Sequence, residues 1–307
     1  MNLFRILSAT GLVLLCCVAV YSAPLDPATQ KLYAKIDSLF VIASSGEVKY
    51  RDKVEPATEA IVKMGAPAVP RLIDKLSTYS ARERVSLIDI MTKIGSPAVP
   101  KLVEALGRPQ WLVVQRVCWT LGDIKDSSAI EPLMQVAYNP NWQVREYCVR
   151  ALGNIGNVKG LQSVINAFSD TVGAVRKAAA YAAGEMKNPA AIPALVAALG
   201  DDFYGARFAA METLLKTDTA KVVAALKVSL PTAGSLKANL ICQTLGSIGT
   251  GDALDILNAH LESDKMEQRI YAAVAIVNAD PSDLCGFYDR IQKKIIDRLA
   301  FVQIESA

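Results

Sequence analysis

One spacing governs what this chain can fold into. Segments ending in "LIDIMTKIG", "VCWTLGDIK", "CVRALGNIG", "AAYAAGEMK", "METLLKTDT", "ICQTLGSIG" and "AVAIVNADP" follow one another along the sequence. Their anchors are Ile94, Ile124, Ile155, Met186, Thr217, Ile248 and Ala279, with steps of 30, 31, 31, 31, 31 and 31 residues. A second row, Leu102, Leu133, Val164, Leu195, Leu226 and Leu257, keeps the same count. So does a third, Val99, Ile130, Leu161, Ile192, Val223 and Leu254. A period of this length marks a stack of supersecondary units, none of which buries its apolar side alone.

Each unit reads as two helices. "PAAIPALVAALG" (189–200) places Ile192, Leu195, Val196 and Leu199 at helical spacing, and "GAVRKAAAYAAGEM" (173–186) does so with Val175, Ala179, Ala183 and Met186. Proline falls in the first turn of several first helices (Pro70, Pro100, Pro193), where a missing N–H costs least. Short polar turns such as "SDT" (169–171) and "GDD" (200–202) separate the two helices and make them antiparallel neighbours. No alternating strand pattern appears after Asp26. The expected fold is all-α: a right-handed α-solenoid of about seven helix pairs over residues 66–279. Two capping helices are expected over 23–65 and a closing one over 280–307, whose Lys293, Lys294 and Arg298 suit a helix C-terminus.

Residues 1–22 differ in kind. "MNLFR" gives a short positive start, "ILSATGLVLLCCVAV" carries no charge, and "YSAPLD" brings small residues and a proline. That order predicts a secretory signal peptide cleaved after Ser22. The protein is then expected to be exported, periplasmic or extracellular, without stable membrane insertion once the leader is removed. The lesser alternative is anchoring by an uncleaved leader. Cys118, Cys148, Cys242 and Cys285 remain beyond the leader with no close or metal-like spacing, and they read as small buried hydrophobes.

Charge and composition narrow the chemistry. Lys and Arg number 33 against 30 Asp and Glu, which supplies no basic stripe for nucleic acid. His260 is the single histidine, so imidazole-based metal clusters and His triads are not expected, nor is any metal or cofactor. Adjacent carboxylates such as Asp201 and Asp202 fall in a turn and read as helix caps.

The units "AIPALVAALGDDFYGARFAAMETLLK" and "WQVREYCVRALGNIG" resemble HEAT repeats, in particular the short type named for phycobilisome lyases. The resemblance covers nearly all of the chain beyond the leader and implies the fold more than a function. It raises lyase and deoxyhypusine hydroxylase activities as remote alternatives. The hydroxylase holds two irons through His-Glu pairs, whereas here His260 stands alone, in "NAHLES", and reads as a surface residue. The lyases act inside the cell, which the leader argues against.

The period also separates scaffold from surface. Arg84, Arg145, Arg176, Arg207 and Arg269 share one position, broken by Val114 and Ala238. Asn139, Asp170 and Asp201, six residues before their arginines, are expected to accept hydrogen bonds from this structural ladder. Trp111, Trp142 and Tyr204 precede second helices and are expected to pack over the turns. Cys148 fills a small core slot, and Cys118, at a different position in its unit, need not touch it.

Away from the core, the second helices are expected to line one face, the concave one by resemblance. Its early part collects Arg116, Trp119, Tyr147, Arg150 and Tyr181, with Glu185 beside them. Aromatics and arginine are the types enriched at interface hot spots. The reading is a non-enzymatic scaffold that binds a protein or peptide on this face. The alternative is a structural component of an envelope assembly, held through its capping ends.

Overall fold

A computed structural model of the chain describes residues 25–279. The expected leader (1–22) and closing helix (280–307), with Cys285, lie outside those residues.

Sixteen α-helices follow in order: α1 (Pro27–Ala43), α2 (Arg51–Val62), α3 (Val69–Asp74), α4 (Ala81–Ile94), α5 (Val99–Ala105), α6 (Trp111–Ile124), α7 (Ile130–Val136), α8 (Trp142–Ile155), α9 (Leu161–Asn166), α10 (Gly173–Met186), α11 (Ile192–Ala198), α12 (Tyr204–Leu215), α13 (Thr219–Ser229), α14 (Ser235–Ile248), α15 (Gly251–His260) and α16 (Met266–Ala279). Among the described residues no strand occurs. From α3 onward the helices alternate, and the fold is an all-α solenoid of seven pairs. A single 3₁₀ turn leads into most of the first helices, as at Ser96–Ala98 and Pro189–Ala191. These first helices run only 6 to 11 residues and owe their stability to packing, being too short to persist alone.

The core is one continuous ribbon. Leu72, Leu102, Leu133, Val164, Leu195, Leu226 and Leu257 are buried in successive first helices, facing Met91, Leu121 and Leu152 from second helices. Thirty or thirty-one residues return the chain to the same register, so one leucine or valine per unit extends the same row.

The two layers are spaced differently. Second helices touch each other backbone to backbone through a glycine row. A Cβ built on Gly122 would stand 2.8 Å from the Ala151 Cα, and one on Gly153 only 2.5 Å from the Ala182 Cα. First helices make far fewer contacts with one another. A stack that is tighter on one side curves toward that side, so α6, α8, α10 and α12 form the inner layer. At Leu215 the glycine is replaced, and α12 packs on α14 more loosely than α10 does on α12.

Candidate functional site

The arginine ladder is a scaffold, with a geometry finer than sequence suggests. Arg145 donates Nη1 to the backbone carbonyls of Asn139 (2.9 Å) and Pro140 (3.1 Å) in its own turn. Its Nε and Nη2 form a bidentate pair with Asp170 of the following turn, at 2.7 and 2.9 Å. Arg176 repeats this with the Asp170 and Thr171 carbonyls and then with Asp201, at 2.6 and 2.7 Å. The expectation that Asn139, Asp170 and Asp201 accept hydrogen bonds from the arginine six residues later holds at their backbone carbonyls and not at their side chains. Their backbone carbonyls serve that arginine, while the aspartate carboxylates serve the arginine of the preceding unit. The Asn139 side chain instead accepts from the Asn141 N–H.

Burial alone would raise the Asp170 and Asp201 carboxyls, but hydrogen bonds from Arg145 and Arg176 hold both below the usual carboxylate range. Arg207 and Arg269 donate to the corresponding turn carbonyls, those of Asp201 and Asp202 and those of Ser263 and Asp264. Trp111, Trp142 and Tyr204 open α6, α8 and α12 as their first residues; the tryptophans are partly exposed and Tyr204 largely so, stacking on Phe208 with centroids 6.2 Å apart.

On the inner face, helices α6, α8 and α10 bring four of the six expected residues into one run. Trp119 and Tyr147 lie with ring centroids 5.7 Å apart and planes tilted by 41°. The Arg150 guanidinium sits over the Tyr147 ring at 5.1 Å, and its side chain is 55% exposed. One turn of the stack further on, Tyr181 is 39% exposed, with Lys177 Nζ over its ring at 5.9 Å. Its hydroxyl donates to Glu212 Oε2 at 3.3 Å.

Between Arg150 and Tyr181 the small side chains Ala178 and Ala182 floor a cleft of about 460 Å³, walled by Glu146, Lys177 and Glu185. A second cleft of about 280 Å³ continues past Tyr181 along Glu212, Lys216 and Thr217. Glu185 is exposed and borders both. Glu146 and Lys177 were not singled out by sequence. They occupy the position just before Tyr147 and Ala178, and that offset row was the signal available.

Two carboxylates in this run are poorly compensated. Burial raises the Asp123 carboxyl despite the Trp119 indole and Arg150, and burial likewise raises Glu146, whose contact with Arg150 Nη1 is long at 3.7 Å.

Arg116 departs from expectation. It is only 4% exposed and does not reach the inner surface. Its Nη1 donates to the carbonyl of Leu76 and, at 2.6 Å, to that of Thr78. The reason lies in the ladder: Val114 stands where α6 should carry an arginine, and Arg116 spans back to the turn that Arg84 would otherwise hold. His260 is also not a plain surface residue, since its Nε2 is enclosed without a partner and burial lowers its pKa. Cys118, Cys148 and Cys242 are fully buried as expected. Cys118 neighbours Cys148, although they hold different positions in their units, because the glycine row draws α6 and α8 together.

Among the described residues no three His, Cys, Asp or Glu side chains converge as a metal site, and no helix is long and apolar enough to cross a membrane.

Residues 69–140 and 130–215 match the family described as HEAT repeats. Residues 69–215 carry HEAT repeats. Among solved structures, the fold is similar to a chain of the Kap95:Nup1 complex at 14% identity, over 89% of this chain and 45% of that one, with a TM-score of 0.52. Human deoxyhypusine hydroxylase in complex with glycerol aligns at 18% identity over 83% of this chain and 99% of that one, with a TM-score of 0.32. The complex of CpcE and CpcF of phycocyanin lyase from Nostoc aligns at 16% identity over 75% and 94%, with a TM-score of 0.40. No curated protein gives a significant match.

Proposed function

We propose that this HEAT solenoid is an exported, non-enzymatic scaffold that holds an extended segment of a protein partner along α6, α8, α10 and α12. The observation that carries the reading is the run Trp119–Tyr147–Arg150–Tyr181. Trp119, Tyr147 and Arg150 contact one another in sequence, and Arg150 and Tyr181 keep exposed faces beside a shared cleft floored by alanine. Preordered aromatics and arginine lose little side-chain freedom on binding, which is the property of interface anchors. The alanine floor offers depth for one apolar side chain of the partner, and the poorly compensated Asp123 and Glu146 offer charge to a neighbouring cation. The Kap95:Nup1 complex gives precedent for the architecture as a partner holder, though not for the identity of this partner.

Export rests on the leader-like residues 1–22 alone.

The test is capture of a partner by the wild-type protein and by the Trp119→Ala, Arg150→Ala, Tyr181→Ala triple variant, with circular dichroism confirming that both are folded. Loss of the partner with the triple variant is expected. A partner retained at undiminished affinity sinks the proposal.

A further inference from the structure

The same pairing is closed on one second helix and open on another. On α12, Lys216 closes on Glu212 four residues before it at 2.8 Å, and the Tyr181 hydroxyl donates to the same carboxylate. On α8, Arg150 stands four residues after Glu146 in the same way, yet Nη1 and Oε1 stay 3.7 Å apart, beyond hydrogen-bonding reach. The Arg150 guanidinium lies over the Tyr147 ring at 5.1 Å instead. Across the cleft on α10, Lys177 Nζ likewise rests 5.9 Å from the centroid of Tyr181.

The open pair faces a cavity. Glu146 and Arg150 on one helix, with Lys177 and Glu185 on the next, wall the cleft of about 460 Å³. That volume lies within the range of small-molecule sites. Ala178 and Ala182 floor it, and Tyr181 and Phe203 add aromatic walls. The cleft is accessible: the Arg150 side chain is 55% exposed, and Lys177 and Glu185 are exposed. Glu146 is half-buried, and burial raises its carboxyl, as expected of a carboxylate short of a counter-charge.

The two cations and two carboxylates cancel. A ligand with a single charge would gain from one sign and lose to the other, and an uncharged ligand would answer neither. A zwitterion answers both, its carboxylate accepting from the Arg150 fork and its ammonium donating to Glu146. Because those groups are only 3.7 Å apart, the ligand's charges must be close together, as on one carbon atom. The contact displaced is cheap: an exposed pair at this helical spacing is worth about a factor of two. We infer that this cleft is a binding site for a small zwitterion of the α-amino-acid type, whose apolar side chain lies on the alanine floor between Tyr181 and Phe203. The site shares its cleft with the proposed scaffold role but does not rest on it; a partner segment and the small ligand would compete.

The experiment follows amide resonances of α8 and α10 in the ¹⁵N-labelled full chain during titration at about pH 6.5, where amine and carboxyl are both charged. Four probes share one alkyl side chain: norleucine, N-acetylnorleucine, norleucine amide and N-acetylnorleucine amide. They carry both charges, the carboxylate alone, the ammonium alone, and neither. Norleucine is expected to bind saturably, half-complete on the order of 1 mM, and loss of either charge to weaken binding about tenfold or more.

Two variants assign the contacts, with circular dichroism confirming the fold of each. Arg150→Gln is expected to remove the advantage of norleucine over norleucine amide, and Glu146→Gln its advantage over N-acetylnorleucine. The inference is overturned if no probe saturates the cleft, if either singly charged probe binds as tightly as norleucine, or if norleucine keeps its affinity in either variant. Because no partner enters this titration, its failure is distinguishable from failure of the scaffold reading.

Discussion

Gly153 of α8 lies so close to α10 that a Cβ placed on it would stand 2.5 Å from the Ala182 Cα and 2.6 Å from the Ala182 Cβ. No rotamer change relieves that contact, because one of its atoms is backbone. Alanine normally stabilises a helix interior relative to glycine, by up to about 1 kcal/mol. Gly153→Ala is expected to invert this and destabilise the solenoid by about 1–3 kcal/mol, measured by urea denaturation. Gly184→Ala meets Thr213 Cγ2 at 3.0 Å, a side-chain atom able to yield, and is expected to cost less.

The Arg176–Asp201 pair ties consecutive units through side chains that are 12% and 8% exposed. Asp201→Asn is expected to cost about 2 kcal/mol at pH 7, because Arg176 loses its buried bidentate partner and keeps only the exposed Asp202 as counter-charge. The Asp201 pKa is lowered on folding, so its stabilisation is complete above the unfolded carboxylate value and is lost as pH falls through the folded one. The difference between wild type and variant should therefore shrink between pH 5 and roughly pH 2. Glu146 has the opposite sign: its raised folded pKa subtracts stability as pH rises above the unfolded value, so Glu146→Gln should gain relative stability on going from roughly pH 4 to pH 7.

Helix ends offer a third check. Gly156 and Gly249 end α8 and α14 with φ of 71° and 65°, while Lys187 ends α10 in the same left-handed region at 50°. A side chain is strained there and glycine is not. Lys187→Gly should raise stability by about 0.5–1 kcal/mol in thermal or urea unfolding, in spite of the usual penalty for introducing glycine.

Thiol chemistry supplies a fourth. Burial pushes the Cys242 pKa up to about 12 and raises that of Cys148 well above the ordinary thiol value. Thiolate is the reactive form, so Cys118, Cys148 and Cys242, all fully buried, should resist alkylation at pH 8 until the chain is unfolded. Mass spectrometry of each cysteine-containing peptide reads the outcome directly.

The fold was readable because a solenoid repeats its own instructions. Leu102, Leu133 and Val164 each serve one register, and seven copies make the period visible above local noise. The site was readable only in part. Trp119, Tyr147, Arg150 and Tyr181 stood out as side chains that the period does not explain, and the structure places them in one run. Arg116 misled because its row holds Tyr147 and Ala178, whereas its long flexible side chain spans back to the carbonyls of Leu76 and Thr78, in the turn six residues before Arg84. The forward pairing of Arg145 with Asp170 was equally hidden: two residues 25 apart come together through the stacking of units, and periodicity alone fixes a position without naming its partner. The meeting of Cys118 and Cys148 depends in turn on the closeness of α6 and α8, set by Gly122 rather than by either cysteine.

The central claim, that the inner face holds a protein segment, is tested most directly by site-specific photo-cross-linking in the protein's native setting. One probe replaces Tyr181 on α10, and a control probe replaces Val228, which is 80% exposed on the first-layer helix α13. The account predicts one dominant adduct from position 181, none of comparable yield from position 228, and loss of the adduct when Trp119 and Arg150 are also changed to alanine. Equal adducts from both positions, or an adduct at 181 indifferent to those two substitutions, would contradict it.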